Sequence, residues 1–293
     1  MIDITNEYAE KVAIELRNAT GWQVDVCKAA VNNGVTTELV ITKDSSGIHY
    51  RFDVPSAVRD LTWDDISDDD IIDAANELIG RVTQKAQNDN ESSATAVTNV
   101  MRNKDEFLNR AFLCLVNGIW NKDAGCVLKS VADDLAYIFK ISLEDIMGPG
   151  NSVLVRPEHI AYLGVTEEEL FEVAYENTKK NNPPKLRSIS DYTGFDMPDD
   201  IGYVVSNEKS TLGAVAVTYP EVLAKLKKLL GETIYIIPSS IHECIAINPM
   251  NESAKTFASW VKEVNATMLP PKERLSDHIY KIDDKGNLVN AED

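Results

Sequence analysis

Between Thr5 and Arg17 the apolar residues Ala9, Val12, Ala13 and Leu16 recur at three- and four-residue intervals, the spacing of one face of an α-helix. The period then shortens. Trp22 to Val31 alternates, Val35 to Thr42 is rich in β-branched residues, and Ile48 to Val54 follows a Ser-Ser-Gly turn, so three strands are expected. Asn32-Asn33-Gly34 separates the first two, and Asn-Gly favours a tight hairpin because both central residues take positive φ. Helical spacing returns at Ile71, Ile72, Ala75, Leu78, Ile79 and Val82, behind a Ser67 placed to cap the first turn. The polar stretch Thr83 to Thr98 has no such periodicity and reads as a linker. A small α-β-β-β-α unit over residues 1–88 follows, with a larger unit over residues 99–293.

In the larger unit, Asn103 to Asn109 reads as helix, Phe112 to Val116 as strand and Trp120 to Val131 as helix, while Leu135 to Ile141 suits either state. Gly148-Pro149-Gly150 breaks the chain. Thr166-Glu-Glu-Glu169 is a capping box, flanked by Val165 and Leu170 as a hydrophobic staple. The last third alternates clearly: strand Tyr203 to Ser206, strand Ala214 to Thr218, helix Pro220 to Leu230, strand Thr233 to Ile237, strand Glu243 to Ile247, helix Glu252 to Asn265. Pro220 suits a first helical turn and Gly231 a helix stop. This β-β-α-β-β-α order, with short links between strands, predicts an α+β fold whose sheet is antiparallel or mixed. It lacks the strict alternation of a doubly wound nucleotide fold, and no Gly-rich phosphate loop is present, so no cofactor is expected.

Charge narrows the classes of partner. The chain has 293 residues, 44% of them apolar, which supports a real core, and a net charge of −18. Direct nucleic-acid binding is not expected, because neutralising phosphates requires Lys and Arg, and an anionic membrane surface is disfavoured for the same reason. Acidity of this size serves solubility; its sharper alternative is an acidic mimic of nucleic acid that inhibits a host nucleic-acid-binding protein. The run Asp60, Asp64, Asp65, Asp68, Asp69, Asp70 and Asp73 lacks the glycine and terminal glutamate of a calcium loop and fits a helix start. Cys27, Cys114, Cys126 and Cys244 have no zinc-type spacing and sit among apolar neighbours, as buried reduced thiols do. With neither a signal-peptide pattern nor a run of about 20 apolar residues, a soluble cytoplasmic protein is expected.

The densest candidate chemistry lies in Ile234-Tyr-Ile-Ile-Pro-Ser-Ser-Ile-His-Glu-Cys-Ile-Ala-Ile247, two short apolar strands around a polar elbow. Three readings compete. Ser240, His242 and Glu243 would serve as nucleophile, base and orienting acid, although strand alternation turns Glu243 away from the other two. His242 and Glu243 would form a metal site if Asp277 and His278 returned beside them. Alternatively, Ser239 and Ser240 bond the turn's free amides while His242 packs its ring and satisfies one nitrogen.

Several separated segments also resemble one family. They include Leu163-Gly-Val-Thr-Glu-Glu-Glu-Leu, Ala174-Tyr-Glu-Asn-Thr, Pro184-Lys-Leu-Arg-Ser, Tyr203-Val-Val-Ser-Asn-Glu, Tyr219-Pro-Glu-Val-Leu, Ile237-Pro-Ser-Ser-Ile-His-Glu and Leu275-Ser-Asp-His-Ile-Tyr. In this order they are similar to a bacterial domain-of-unknown-function family of gut anaerobes and their phages or mobile elements. The match is firm from about Val153 to Ile282 and looser before that, with residues 101–150 following the pattern poorly. The resemblance implies a shared fold and a cytoplasmic location, and brings no reaction or catalytic residues with it. The reading that follows is a non-enzymatic protein-binding or regulatory module. A hydrolase or metal-dependent enzyme centred on His242 is the chief alternative.

Overall fold

The computed structural model describes residues 4–43, 49–54, 65–88, 91–195, 198, 201–249 and 252–292. By internal contacts the chain divides into one unit of residues 1–31 and 35–99, and a second of residues 32–34 and 100–293.

The first unit contains α1 (Ile4–Thr20), β1 (Gln23–Val31), β2 (Gly34–Thr42), β3 (His49–Asp53) and α2 (Asp68–Asn88), the α-β-β-β-α order expected. The sheet runs β1-β2-β3, and the turn between β1 and β2 falls at Asn32-Asn33, where Asn33 takes φ 64°; Gly34, expected to share the positive φ, instead opens β2. In the antiparallel β2–β3 pair, Leu39 faces Phe52 and Ile41 faces Tyr50. These side chains are buried with Ala9, Val12, Ala13 and Leu16 of α1 and Ile71, Ala75, Leu78 and Val82 of α2. Each such burial stabilises by roughly 1.5–3 kcal/mol for the larger aliphatic and aromatic residues. At the start of α2, the Asp70 amide donates to Ser67 Oγ at 3.2 Å while Asp70 Oδ2 accepts the Ser67 amide at 2.8 Å, so the acidic run there does cap a helix. Asp60, Asp64, Ile48 and the Ser-Ser-Gly turn lie outside the described residues.

The stretch 83–98 corrects the sequence reading. It is helical, with α2 running to Asn88 and α3 (Glu91–Arg102) taking up the rest. Its Ala, Gln and Lys residues favour helix even where an apolar stripe is faint. Of residues 89 and 90 themselves nothing is described.

The second unit begins with α4 (Lys104–Asn109), β4 (Ala111–Asn117), β5 (Leu128–Ala132), β6 (Leu135–Ser142), α5 (Glu144–Met147) and β7 (Ser152–Leu154). β6 pairs with β4 along one edge and with β5 and then β7 along the other. The helix expected over Trp120 to Val131 is instead a turn leading into β5. Asn117 starts that turn by accepting the Trp120 amide at 2.9 Å, a local side-chain bond that competes with helix.

There follow α6 (Pro157–Leu163), α7 (Glu167–Asn181), β8 (Pro184–Ser188), α8 (Ile189–Thr193), β9 (Gly202–Asn207), a 3₁₀ helix (Gly213–Thr218), α9 (Pro220–Leu230), β10 (Tyr235–Ser240), β11 (Glu243–Ile247), α10 (Ala254–Thr267), β12 (Tyr280–Ile282) and β13 (Leu288–Asn290). Six of these strands form a sheet in the order β13-β12-β10-β11-β9-β8, with antiparallel pairing at each step. The fold is α+β, as expected. Thr166 caps α7 by accepting the Glu169 amide at 3.1 Å. The strand expected over Ala214 to Thr218 is the 3₁₀ helix, and Gly213 to Val217 are all buried. An apolar run buried on every side has no periodicity to tell helix from strand. Among the described residues no helix is long and apolar enough to cross a membrane.

Candidate functional site

Ile241 and His242 form the turn between β10 and β11, with Ser240 paired to Glu243 across it. The His242 amide donates to Ser240 Oγ at 3.1 Å. The His242 ring accepts the Leu212 amide on Nδ1 at 3.1 Å, which leaves the ring proton on Nε2. The His242 carbonyl accepts both the Ser206 hydroxyl at 2.8 Å and the Gly213 amide at 3.1 Å. Glu243 faces elsewhere: its two carboxylate oxygens lie 3.2 and 3.1 Å from the Tyr192 hydroxyl, and Arg187 covers the Tyr192 ring at 4.8 Å. Burial, and then the Glu243 charge, push the Tyr192 hydroxyl pKa up. Ser240, His242 and Glu243 therefore bond three different groups, and no hydroxyl–imidazole–carboxylate chain is assembled from them.

The Asp277–His278 pair is engaged in the same way. His278 Nδ1 lies 3.0 Å from Glu292 Oε1, and Asp277 Oδ1 accepts the Asn265 side-chain amide at 2.7 Å. Ser276 repeats the elbow's local motif by accepting the His278 amide on Oγ at 3.0 Å. Among the described residues no group of three or more His, Cys, Asp and Glu is placed to hold a metal ion. His242, Glu243, Asp277 and His278 are not brought together as a ligand set.

What the elbow does hold is the loop after β9. Ser210 and Leu212 take φ of 53° and 52°, a left-handed conformation that costs roughly 1 kcal/mol or more for residues with a Cβ. Asn207, itself buried, pins this loop by donating to the Thr211 carbonyl at 2.8 Å and accepting the Thr211 amide at 3.3 Å. His242 pins its far end at Leu212. Gly213 must be glycine for close approach, since a Cβ there would lie 2.4 Å from Ser206 Oγ, 2.6 Å from the Asn207 amide and 2.9 Å from the His242 carbonyl. The Leu212 side chain consequently packs on the face of the β4–β6–β7 sheet formed by Phe112, Cys114, Ile138 and Leu154. Burial pushes the Cys114 thiol up to about 11, so it is an inert part of that face.

Beside Leu212 the same face opens into a cleft of about 620 Å³, within the size range of ligand sites. Phe112 and Lys140, directly paired on β4 and β6, lie in it together with Asn109, Asn181 and Asn182 from the ends of α4 and α7. The loop residues Asn207, Lys209, Thr211 and Leu212 supply one wall, and Pro149 to Ser152 another. Asn182 Oδ1 is buried without a hydrogen-bond partner. No reading of the sequence pointed here, since the cleft is assembled from segments that lie far apart along the chain.

A family model described as a family of unknown function, DUF5688, matches residues 5–284. The chain belongs to the DUF5688 family. No curated protein and no solved structure matches it. The family description names no reaction, so chemistry in this DUF5688 protein has to be read from geometry.

A second polar cluster in the DUF5688 chain is fully enclosed. Asp134, at the turn between β5 and β6, accepts the Ser276 hydroxyl at 2.8 Å, the Asn117 side-chain amide at 2.6 Å and the Tyr280 hydroxyl. Ser276 and Tyr280 are completely buried. Burial, and then the Asp134 charge, push the Tyr280 hydroxyl far up. With its partners supplied by protein and solvent excluded, this cluster fastens the fold and offers no open position to a ligand. The Leu275-Ser-Asp-His-Ile-Tyr segment carries two of its members, which is the signal that could have found it.

Proposed function

We propose that this DUF5688 protein is a non-enzymatic binding module that works through a protein partner in the cytoplasm, and that the cleft of its second unit receives an extended segment of that partner. The observation that carries the reading is the set of amides at the cleft. The Asn109 and Asn181 side chains make no hydrogen bond to any described residue, and Asn182 Oδ1 is buried without a partner. An amide presents both a donor and an acceptor, the complement of a peptide main chain. Phe112 and Leu212 add apolar surface for the segment's side chains. The elbow supports the reading too, because His242 spends its Nδ1 on the loop that walls the cleft. Four free cysteines accord with a reducing compartment. The motif resemblance supports a mobile-element setting.

Selection of peptides from a random unstructured display library on the immobilised full chain tests this. Selected peptides are expected to slow hydrogen exchange at residues 109–113, 149–152 and 207–212. Failure to enrich any peptide, or protection confined to other segments, would overturn the reading.

A further inference from the structure

Lys140 distinguishes this cleft from a neutral amide groove. Three cations line the cleft, and two are already neutralised: Arg110 by Asp145 at 2.9 Å and Glu106 at 3.2 Å, and Lys209 by Glu144 at 3.8 Å. Glu144, the carboxylate in the lining, also accepts the Gly150 amide at 3.1 Å. Lys140 has no carboxylate within ion-pair distance and no side-chain hydrogen bond among the described residues. It is half-buried, with Phe112 opposite it on β4 and Leu154 opposite it on β7.

In a chain with 47 acidic and 29 basic residues, a half-buried cation left without a partner stands out. Its stem lies on the apolar face that carries Phe112, Leu154 and Leu212, which restricts the ammonium to the cleft side. A cation held this way is poised for one charge-assisted bond to an anion entering the cleft. Charge matching sets the valence. With Arg110 and Lys209 already paired, the single unpaired ammonium balances a monoanionic carboxylate and leaves a dianionic phosphate uncompensated.

We infer that Lys140 anchors a carboxylate of the bound segment, so that the cleft selects acidic peptides. This rests on the peptide-binding reading above. The carboxylate is the side chain of an Asp or Glu within that extended segment.

Three blocked glycine pentapeptides separate the possibilities when titrated into the full chain at low salt and followed by the backbone amide signals of residues 109–113 and 207–212. One carries a central Asp with an amidated end, one a central Asn with an amidated end, and one is all glycine with a free C-terminal carboxylate. The Asp peptide is expected to bind about tenfold more tightly than the Asn peptide, the scale of one charge-assisted bond. Preference for the Asp peptide supports the anchor, whereas preference for the free-ended glycine peptide over the Asp peptide would move the site to a chain terminus and overturn the selection of acidic segments. In Lys140→Met the preference should collapse towards one while the Asn peptide binds as before, and Lys140→Arg should retain it. Equal binding of all three peptides to the unaltered chain would overturn the anchor and leave peptide binding standing. No shift at the cleft with any of them would overturn both.

Discussion

Replacing His242 separates a ring that holds a loop from a ring that works on a ligand, because the two nitrogens have different duties. Nδ1 accepts the Leu212 amide at 3.1 Å, and Leu212 is half-buried with a left-handed backbone. Removing the acceptor forfeits a net hydrogen bond of about 0.5–1.5 kcal/mol, rising to about 1–3 kcal/mol where the donor is left out of water. The left-handed residues Ser210 and Leu212 add a bias, since the loop relaxes once it is released. His242→Ala is therefore expected to lower stability by about 1–3 kcal/mol. The side-chain oxygen of Asn stands where Nδ1 stands, so His242→Asn should lie within about 0.5 kcal/mol of wild type. Gln places its oxygen nearer to Nε2, so His242→Gln should resemble the alanine variant. Urea unfolding gives the global cost. Native-state exchange at the Leu212 amide gives the local one, expected to speed up by about 5- to 150-fold in His242→Ala. A glutamine variant as stable as wild type, with asparagine no better than alanine, would refute the reasoning and move the ring's role to Nε2, where a metal or substrate would bind.

Two further outcomes follow from the same contacts. Gly213→Ala forces a methyl into Ser206 Oγ and two backbone atoms, so the second unit should lose about 1–3 kcal/mol or fail to fold, whereas Gly34→Ala, where nothing lies within 4 Å, should change the midpoint little; equal effects would refute the close-approach argument. Burial pushes the hydroxyl of Tyr137 up to about 12, and those of Tyr219 and Tyr280 further still. Below pH of about 10 both folded and unfolded states keep these protons and nothing changes. Above it the unfolded state binds fewer protons, so stability should fall as pH rises, by about 1.4 kcal/mol per pH unit for each such tyrosine up to its folded pKa. Ultraviolet titration of phenolate with parallel unfolding curves checks this, and a flat stability between pH of about 10 and 11.5 would contradict it.

Local rules carried much of the fold. The α1 stripe, the Asn32-Asn33-Gly34 hairpin, the Ser67 and Thr166 caps, and the helix stop at Gly231 each depend on residues within one or two turns, and each is found where the pattern put it. Misreadings arose where tertiary context decided. The run Gly213 to Val217 is enclosed on all sides and carries no period, and Trp120 to Val131 is diverted by one bond to Asn117. The elbow's residues were visible, yet the partner of His242 lies thirty positions upstream and no spacing rule links Leu212 to it. Asn109, Lys140 and Asn182 share a cleft only because α4 packs on α7, α7 packs on β4 and β4 pairs with β6, so no local window contains them.

The Asp134 cluster bears on the order in which the chain can reach its final state. Its carboxylate is 6% exposed, and its partners Ser276 and Tyr280 lie 142 and 146 positions further on; Asn290 of β13 likewise donates to neighbouring Asp133 at 3.1 Å. At a synthesis rate of about 5–20 residues per second, those partners emerge from a ribosome roughly seven to thirty seconds after Asp134. The β4–β6 sheet, built from nearby pairings, is ready long before them. Through that interval Asp134 keeps its water and the turn it occupies stays open, so this part of the second unit seals as a late step, when Ser276 and Tyr280 arrive and displace solvent from a carboxylate made well before them.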